Sequence, residues 1–272
     1  MKVVAITNQK GGVGKTTTAL NLATAVALRG IKTLIIDMDP QANVTSGLGI
    51  AKGDAESNVY SAIIGHKSIA EIIVKTEVPH LDLAPSGIDL VGSEIELAGM
   101  EDRENRLKKA LNTVAHIYQF VFLDCPPSLG LLTLNALVSS NTVIIPIQCE
   151  YYALEGLTQL VRTLESVRSR YNPILDIEGL VFTMYDARSN LTRQVREEVE
   201  KHFGNKAYRN WIPRNIRLAE APGFGKPGVI YDPQSIGARA YKLLADEFLQ
   251  NNNIGVHQDI LNESISKSMA VI

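Results

Sequence analysis

The sequence predicts an α/β fold: a single-domain, doubly wound and mostly parallel β-sheet flanked by helices. Short β-branched runs recur along the 272 residues, and they are apolar throughout rather than alternating, as expected of strands covered on both faces. Helix-like stretches separate these runs at the spacing typical of strand–helix–strand units. Ligands of such sheets bind beyond the carboxyl ends of the strands, so functional residues are expected there.

The predicted strands are Val3–Thr7, Thr33–Asp37, Leu81–Pro85, Phe120–Asp124, Thr142–Pro146 and Leu180–Met184. The predicted helices are Lys15–Arg29, Asp89–Gly99, Arg103–His116, Leu131–Ser139, Ala153–Arg170, Leu191–Phe203 and Ser235–Leu249, with short ones around Val59–Gly65 and Ser68–Val74. One domain is expected over residues 1–250. Residues 251–272 begin with three asparagines and are expected to form a loosely attached, flexible C-terminal tail.

Composition argues against a membrane-spanning protein and against a disulfide-stabilised one. With 45% hydrophobic residues, 21% charged residues and a formal charge of −2, the chain has an ordinary globular composition, and its total charge does not point to nucleic acid. No apolar run approaches the ~18 residues of a membrane span, and Met1 leads straight towards a strand rather than a signal peptide. A cytoplasmic location is therefore expected. Cys125 and Cys149 are too few for a disulfide framework and lack metal-ligand spacing.

The first predicted strand leads into a glycine-rich stretch, Lys10-Gly11-Gly12-Val13-Gly14-Lys15-Thr16-Thr17. Its glycines let successive backbone N–H groups converge, and the following helix adds its positive N-terminal end, which together make a cradle for phosphate. Lys15 would place a charge on the outer phosphates, and the Thr16 hydroxyl is where such loops hold magnesium. Gln9 replaces the first glycine of the usual pattern, and Lys10 is an extra lysine. The alternative is a glycine-rich turn without a ligand.

Carboxylates end two other predicted strands. Asp37 and Asp39 would face the phosphate loop if the strands are neighbours, and Asp39 is the better candidate to orient an attacking water. The alternative is that they only cap a turn, an interpretation that has more weight for Asp37 than for Asp39. Asp124 ends Phe120–Asp124, where a magnesium site needs a carboxylate opposite the Thr16 hydroxyl.

Residues 188–226 differ in charge from the rest of the chain. They hold nine Lys and Arg residues against four Glu residues, a net +5 in a chain of net −2. Such a local basic surface suggests a phosphate-backbone partner. The alternative is that the helical members, such as Arg193 and Arg196, pair with neighbouring glutamates along one exposed helix. Arg188 and Arg217, which are predicted in loops, are therefore the better candidates.

These residues resemble a known family. The glycine-rich stretch is similar to the deviant phosphate loop of the ParA/MinD ATPases, in which a second lysine precedes the glycines. Four further stretches narrow the resemblance to the chromosomal ParA (Soj) branch: Asp37–Asn43, Asp124–Gly130, Thr183–Arg188 and Ile212–Pro222. The resemblance covers residues 1–250 and implies a P-loop NTPase fold of the SIMIBI class, with ATP and Mg²⁺ as cofactors.

The resemblance implies an ATP-dependent homodimer. Lys10 would reach the phosphates of the partner subunit's ATP, and Gly11 would lie where the subunits approach most closely. Lys15 would hold the β- and γ-phosphates, Thr16 and Asp124 the magnesium, and Asp39 the attacking water. The other loop residues that would bind the nucleotide are Gly12, Val13, Gly14 and Thr17.

The resemblance also implies partners. Met184, Pro213 and Asn215 match positions near the adenine, whereas Arg188 and Arg217 match positions that bind double-stranded DNA without sequence preference. A ParB (Spo0J)-type centromere-binding protein would stimulate an otherwise slow ATP hydrolysis. The implied function is chromosome or plasmid segregation by a nucleoid-associated protein that does not bind membranes.

The sequence departs from the family where the usual Ala-Pro-Ser-His-Gly-Lys-Pro run reads Ala221-Pro222-Gly223-Phe224-Gly225-Lys226-Pro227, and its tail is longer than typical. Three alternatives remain. A MinD-like membrane-associated ATPase needs a basic amphipathic C-terminus, but the tail has Asp259 and Glu263 against a lone Lys267. An iron–sulfur reductase of the nitrogenase type would need a cysteine elsewhere than directly after Asp124. A non-enzymatic scaffold with a relic nucleotide site would not need Lys15, Thr16, Asp39 and Asp124 intact.

Overall fold

A seven-stranded sheet with helices on both faces forms the protein in the computed structural model, which describes residues 1–51 and 57–255. The strand order is β3-β4-β2-β5-β1-β6-β7. All neighbouring strands are parallel except β3 and β4. The strands are β1 (Lys2–Ile6), β2 (Thr33–Asp37), β3 (Val74–Lys75), β4 (Leu81–Ala84), β5 (Phe120–Asp124), β6 (Thr142–Gln148) and β7 (Asp176–Thr183).

Twelve α-helices lie in the described residues. They are α1 (Lys15–Ala27), α2 (Asn43–Gly47), α3 (Val59–Ile64), α4 (Ile69–Ile72), α5 (Leu90–Ala98), α6 (Arg106–Asn112), α7 (Leu131–Ser139), α8 (Ala153–Arg170), α9 (Asn190–Phe203), α10 (Ile216–Glu220), α11 (Gly228–Tyr231) and α12 (Ile236–Asn251). Three 3₁₀ turns, Arg103–Asn105, Gly204–Lys206 and Ala221–Phe224, join some of them.

The sheet has a separate hydrophobic core on each face. One core packs α3, α5, α6, α7 and α8 against the sheet, and the other packs α1 and α12. Phe120 and Phe122 project from β5 into the second core, where their rings lie 5.0 and 5.5 Å from that of Phe248 on α12. Burial on both faces explains why the strands are apolar throughout, and the predicted fold class is confirmed.

The order β2-β5-β1-β6 matters most for function, because it brings the carboxyl ends of four central strands to one edge. Asp37 at the end of β2 is directly paired with Asp124 at the end of β5, and Ile6 at the end of β1 is paired with Asp124 from the other side. The phosphate loop follows β1. The predicted carboxylates and the predicted loop therefore meet at this edge.

The C-terminal helix is anchored at the opposite edge of the sheet. Asn252 donates to the Glu178 carboxylate at 2.7 Å and accepts from the Lys2 ammonium at 2.5 Å, and Ile254 packs against the core of α1 and α12. The rest of the predicted tail, residues 256–272, lies outside the described residues. No helix in the described part of the chain is long and apolar enough to span a bilayer.

Candidate nucleotide site

The phosphate loop has the backbone geometry that its glycines allow. Gly12 and Gly14 have φ angles of +75° and +83°, in the left-handed region where a side chain would be strained. The Lys10 N–H donates to the Asn8 side chain at 3.0 Å, and the Asn8 amide donates to the carbonyl of Pro146 on β6 at 2.8 Å. The loop is thus attached to the neighbouring strand. Its glycines serve a required conformation rather than an ordinary turn.

Lys15 is buried inside this loop. Its ammonium donates to the Lys10 carbonyl at 3.0 Å, and its residue is only 7% exposed. Burial lowers the pKa of Lys15, and the nearby acidic groups Asp124 and Asp39 offset part of that effect. The Lys15 ammonium therefore lies inside the loop, near the Asp124 and Asp39 carboxylates.

Asp124 is the most unusual polar group of the site. It is fully buried, and neither carboxylate oxygen has a hydrogen-bond partner among the described residues. Burial raises the pKa of Asp124 well above the usual range, and the neighbouring Asp37 raises it further. The nearby Thr16 hydroxyl lowers this pKa in part, although it is not in hydrogen-bond geometry with the carboxylate. A buried, unpartnered carboxylate costs free energy. A cation would remove that cost.

These residues fit Mg²⁺, which prefers oxygen ligands and takes only one or two from the protein when phosphates and waters supply the others. The Asp124 oxygens and the Thr16 hydroxyl are such a set. They do not form a cage of their own: no group of three or more His, Cys, Asp or Glu residues suited to a metal occurs in the part of the chain that the structure describes. A site of this kind is incomplete without a phosphate ligand.

Asp37 has a structural role. Its carboxylate accepts from the backbone and hydroxyl of Thr45, at 2.9 and 2.8 Å, and from the Asp39 N–H at 3.2 Å. These bonds fasten α2 and the loop before it to the end of β2. Burial raises the pKa of Asp37 to about 6, although the Thr45 and Asp39 hydrogen bonds oppose that shift. These contacts agree with the alternative interpretation, in which Asp37 caps a turn and does not face the phosphates.

Asp39 lies at the more open side of the same loop. Its carboxylate accepts from the Gln41 N–H at 2.9 Å, and its backbone carbonyl accepts from the Ser86 hydroxyl at 2.7 Å. The side chain is half-buried rather than enclosed. One carboxylate oxygen thus remains for a water, and the backbone of Asp39 is fixed by the segment that follows β4.

Lys10 extends from the loop and forms an ion pair with Glu150. Both side chains are substantially exposed, at 40% and 47%. Gly11 next to it is exposed, and a Cβ there would meet no atom within 4 Å. Sequence reasoning missed Glu150, although it lies just beyond the end of β6, where the strand-end rule would have identified it.

The predicted adenine residues line one cavity with the phosphate loop. Met184, Pro213 and Asn215 surround a cavity of about 200 Å³ together with Gly12 and Gly14. The Thr183 hydroxyl at the end of β7 donates to the Val13 carbonyl at 2.8 Å, which holds this side of the cavity against the loop. A larger cavity of about 920 Å³ lies at the opposite edge of the sheet, where its charged residues pair with one another, as Lys2 does with Glu178.

The two predicted DNA-binding arginines lie on adjacent segments, which a backbone bridge between Tyr185 and Pro213 holds side by side. Arg188 is 90% exposed and makes a two-bond ion pair with the Asp186 carboxylate, with both distances 3.0 Å. Those hydrogen bonds lower the pKa of Asp186 to about 2. Arg217 lies on the short helix α10 and not in a loop as predicted, because Asn215 caps a helix there that is too short to show a periodic pattern. It pairs with Glu220 at 3.0 Å and lies 3.5 Å from Asp232. Any phosphate must compete with these carboxylates.

The turn that departs from the family pattern is closely packed. Gly225 has a φ of +64°, and a Cβ there would lie 2.7 Å from the Gly49 Cα at the end of α2. Phe224 is 64% exposed and stacks on Tyr231 with a centroid distance of 4.9 Å. The turn after Arg217 is therefore held against the segment that follows Asp39.

Comparisons with known proteins identify the family of this chain. The AAA domain family matches residues 1–177. The sporulation initiation inhibitor protein Soj of Bacillus subtilis is 54% identical over 250 residues, which cover 92% of this chain and 99% of that protein. The chromosome partitioning protein ParA of Caulobacter vibrioides is 49% identical over 251 residues, which cover 92% and 94%.

A solved structure is similar over the same length. Cobyrinic acid a,c-diamide synthase from Mycobacterium smegmatis, with bound ATP analogue and magnesium, has a TM-score of 0.81 and 34% identity, over 93% of this chain and 96% of that one. Identity near 50% to Soj and ParA over most of the chain is far more specific than this likeness of fold. The chain therefore belongs to the Soj/ParA family of chromosome partitioning proteins.

Proposed function

We propose that this protein is an ATP-dependent DNA-partitioning switch. ATP binding drives the formation of a sandwich dimer, the dimer binds DNA without sequence preference, and ATP hydrolysis stimulated by a ParB-type partner releases it. Residues 1–250 form the ATPase domain. On this proposal the protein is found on the nucleoid and takes part in chromosome or plasmid segregation.

The unpartnered Asp124 carboxylate is the observation that carries the proposal. It is fully buried beside Lys15 and the Thr16 hydroxyl, an arrangement that is costly until a cation and phosphates complete it. Thr16 and Asp124 would hold Mg²⁺, which neutralises charge on the phosphate oxygens. Lys15 and the loop N–H groups would bind the β- and γ-phosphates, and the cavity lined by Met184, Pro213 and Asn215 would take the adenine.

Hydrolysis needs a positioned water more than covalent chemistry from the protein. Asp39 would orient that water with its carboxylate, because its backbone is fixed by Ser86 at 2.7 Å and by Asp37 at 3.2 Å. Only its side chain remains adjustable. Slow basal turnover is expected, since a single half-buried carboxylate supplies the positioning.

The dimer is supported by Lys10 and Gly11. The Lys10 side chain is charged and 40% exposed, and the contact of its ammonium among the described residues is a surface ion pair with Glu150. Such pairs contribute about 0 to 1 kcal/mol. Lys10 can therefore leave Glu150 for the phosphates of a second subunit at small cost. Gly11 presents bare backbone with open space in front of it, as close approach of another subunit requires.

DNA binding is supported by Arg188 and Arg217, which lie on segments that meet at the Tyr185–Pro213 bridge. Both guanidinium groups are more than half exposed. Contacts with phosphates release counterions, so such binding weakens steeply as salt rises.

The test is DNA binding with and without ATP at two salt concentrations, for the wild type, Asp39→Ala and Arg188→Ala. Asp39→Ala is expected to retain or strengthen binding, because ATP stays bound and the dimer persists. Arg188→Ala is expected to bind ATP normally and to lose DNA. Equal DNA binding by Arg188→Ala and the wild type would remove this residue from the surface, and ATP-dependent binding to liposomes without binding to DNA would overturn the proposal.

A further inference from the structure

The outer side of α5, the segment just before it and the loop after β5 expose large aliphatic side chains that the nucleotide site does not use. Ile88, Val91 and Ile95 are 73%, 57% and 81% exposed, and Leu129 is 48% exposed. We call these four residues the α5 patch. Val91 and Ile95 are four residues apart and so lie on one side of the helix, while Leu90 and Leu97 on the other side are fully buried.

The loop after β5 lies close to α5 at Glu94. Glu94 of α5 lies against the start of α7, since a Cβ on Gly130 would meet its carboxylate at 1.8 Å and the Leu132 N–H lies 3.5 Å from it. Leu129 is the residue before Gly130, so it lies near the turn of α5 that carries Glu94. Clustered exposure of large aliphatic side chains is uncommon on a surface with no partner.

The segment before Ile88 contacts the loop that carries Asp39. Ser86, two residues before Ile88, donates its hydroxyl to the Asp39 carbonyl at 2.7 Å and its N–H to the Thr45 hydroxyl at 3.0 Å. That hydroxyl in turn donates to Asp37. Only Gly87 separates Ile88 from Ser86, so a ligand that moves Ile88 also acts on the hydrogen bond that holds the Asp39 backbone.

The charge around the patch indicates the chemistry of its ligand. Residues 88–102 contain Asp89, Glu94, Glu96, Glu101 and Asp102 and no lysine or arginine. Of the basic residues that follow, Arg103 pairs with Glu104, Lys109 pairs with Asp102 and Arg106 donates to backbone carbonyls of α3. Lys108 lines a cavity with Met1 and Val3 at the amino ends of the strands. The segment that carries Ile88, Val91 and Ile95 thus has acidic residues and no basic ones, which favours a ligand that is both apolar and basic.

A second copy of this chain fits the patch poorly. In a twofold contact of this face with itself, the same acidic residues would approach one another, and like charges in an interface are costly. An amphipathic segment of another protein avoids this, because its basic residues would pair with the acidic ones while its apolar residues cover Val91 and Ile95.

We propose that the α5 patch is the docking surface for a basic, apolar segment of the protein partner that stimulates ATP hydrolysis. The inference rests on the proposed function and adds the place where the partner acts. Docking there transmits its effect through Ser86 to Asp39, so the partner changes the rate of hydrolysis without entering the nucleotide site.

The experiment measures phosphate release from the full chain with DNA, ATP and increasing full-length ParB-type protein from the same organism. The variant is Ile95→Ser, whose exposed side chain can be shortened without disturbing the core. The matched control is Ile174→Ser, because Ile174 is 66% exposed on the segment before β7, at the edge of the sheet opposite the nucleotide site. A second variant, Glu101→Lys, tests the charge of the patch with no loss of apolar area.

Ile95→Ser is expected to keep basal hydrolysis, ATP-dependent dimerisation and DNA binding, and to need at least about tenfold more partner for half-maximal stimulation. Glu101→Lys is expected to weaken stimulation most at low salt, and Ile174→Ser to match the wild type. Unchanged stimulation of Ile95→Ser would overturn the proposal, and so would loss of its ATP-dependent dimer, which would assign the patch to a second copy. Failure of the proposed function itself would show differently, as a wild type without ATP-dependent DNA binding or stimulation.

Discussion

Replacing Asp124 by asparagine is expected to raise the stability of the ligand-free protein and to remove the further stabilisation that magnesium gives with ATP. In the absence of ligand, Asp124→Asn is expected to be more stable than the wild type. The buried carboxylate has no hydrogen-bond partner among the described residues, and Asp124 lies opposite the acidic Asp37 on the neighbouring strand. An asparagine of the same shape removes one of two adjacent acidic groups.

The magnitude follows from the register of β2 and β5. Neighbouring strands lie about 4.8 Å apart, and two like charges at that distance cost roughly 3 kcal/mol at an effective dielectric constant of about 20. Part of this cost is already avoided in the wild type, because burial raises the pKa of both carboxyl groups and favours a bound proton. A net gain of about 1 to 3 kcal/mol in the free energy of unfolding remains, which corresponds to a rise in Tm of roughly 3 to 8 °C.

The assay is thermal unfolding of both proteins with no ligand, with ATP and EDTA, and with ATP and Mg²⁺. A ligand at a hundred times its Kd stabilises the folded state by about 2.7 kcal/mol, so the wild type is expected to gain several degrees from magnesium. Asp124→Asn is expected to gain almost nothing beyond the effect of ATP alone, because it lacks the anionic ligand.

Asp82→Asn is the matched control, since Asp82 is also a buried strand aspartate but accepts from Lys32, Lys75 and Tyr118 at 2.7 to 2.8 Å. It is expected to lose about 2 kcal/mol of stability and to respond to magnesium as the wild type does. If Asp124→Asn were less stable than the wild type without ligand, or gained as much from magnesium, the assignment of Asp124 to the cation would be refuted.

Three further predictions concern other parts of the molecule. Burial raises the pKa of Asp82, but its hydrogen bonds outweigh this and hold the pKa below its usual value, so the wild type should lose stability more steeply than Asp82→Asn as the pH falls below about 4, as urea unfolding would show. Gly225→Ala should lower Tm by several degrees, because its Cβ would meet backbone at 2.7 Å and its φ is +64°, whereas Gly223→Ala, with open space, should change Tm little. Asp186→Asn should strengthen DNA binding at low salt, because it releases Arg188 from its ion pair, and no change would show that the pair does not compete with phosphate.

Much of the sheet could be predicted from sequence because burial on both faces leaves an unbroken apolar run. The predicted bounds of Thr33–Asp37 and Phe120–Asp124 agree with the structure, as do those of the helices Leu131–Ser139 and Ala153–Arg170. The two-residue strand β3 was missed, because an antiparallel edge strand of that length has no periodicity to detect. The short helices α2, α10 and α11 were missed for the same reason.

The site shows a similar division. The phosphate loop, Asp39 and Asp124 could be identified because strand ends and glycines mark them in the sequence, and the strand order then brings them together. Contacts between distant segments could not be identified in this way. The strand-end rule marks Glu150 but not its ion pair with Lys10, and it does not show that Asp37 accepts hydrogen bonds from α2. Both contacts depend on how the loops fold over the sheet edge.

The most direct test of the switch is the molar mass in solution with ATP and Mg²⁺, measured by light scattering for Asp39→Ala and for the same variant with Lys10→Ala added. The account predicts that Asp39→Ala has twice the monomer mass of 29.7 kDa, because hydrolysis no longer dissolves the dimer. The added Lys10→Ala should return it to the monomer mass while ATP stays bound. A dimer that persists without Lys10, or a monomer in both cases, would contradict the claim that ATP joins two subunits through this lysine.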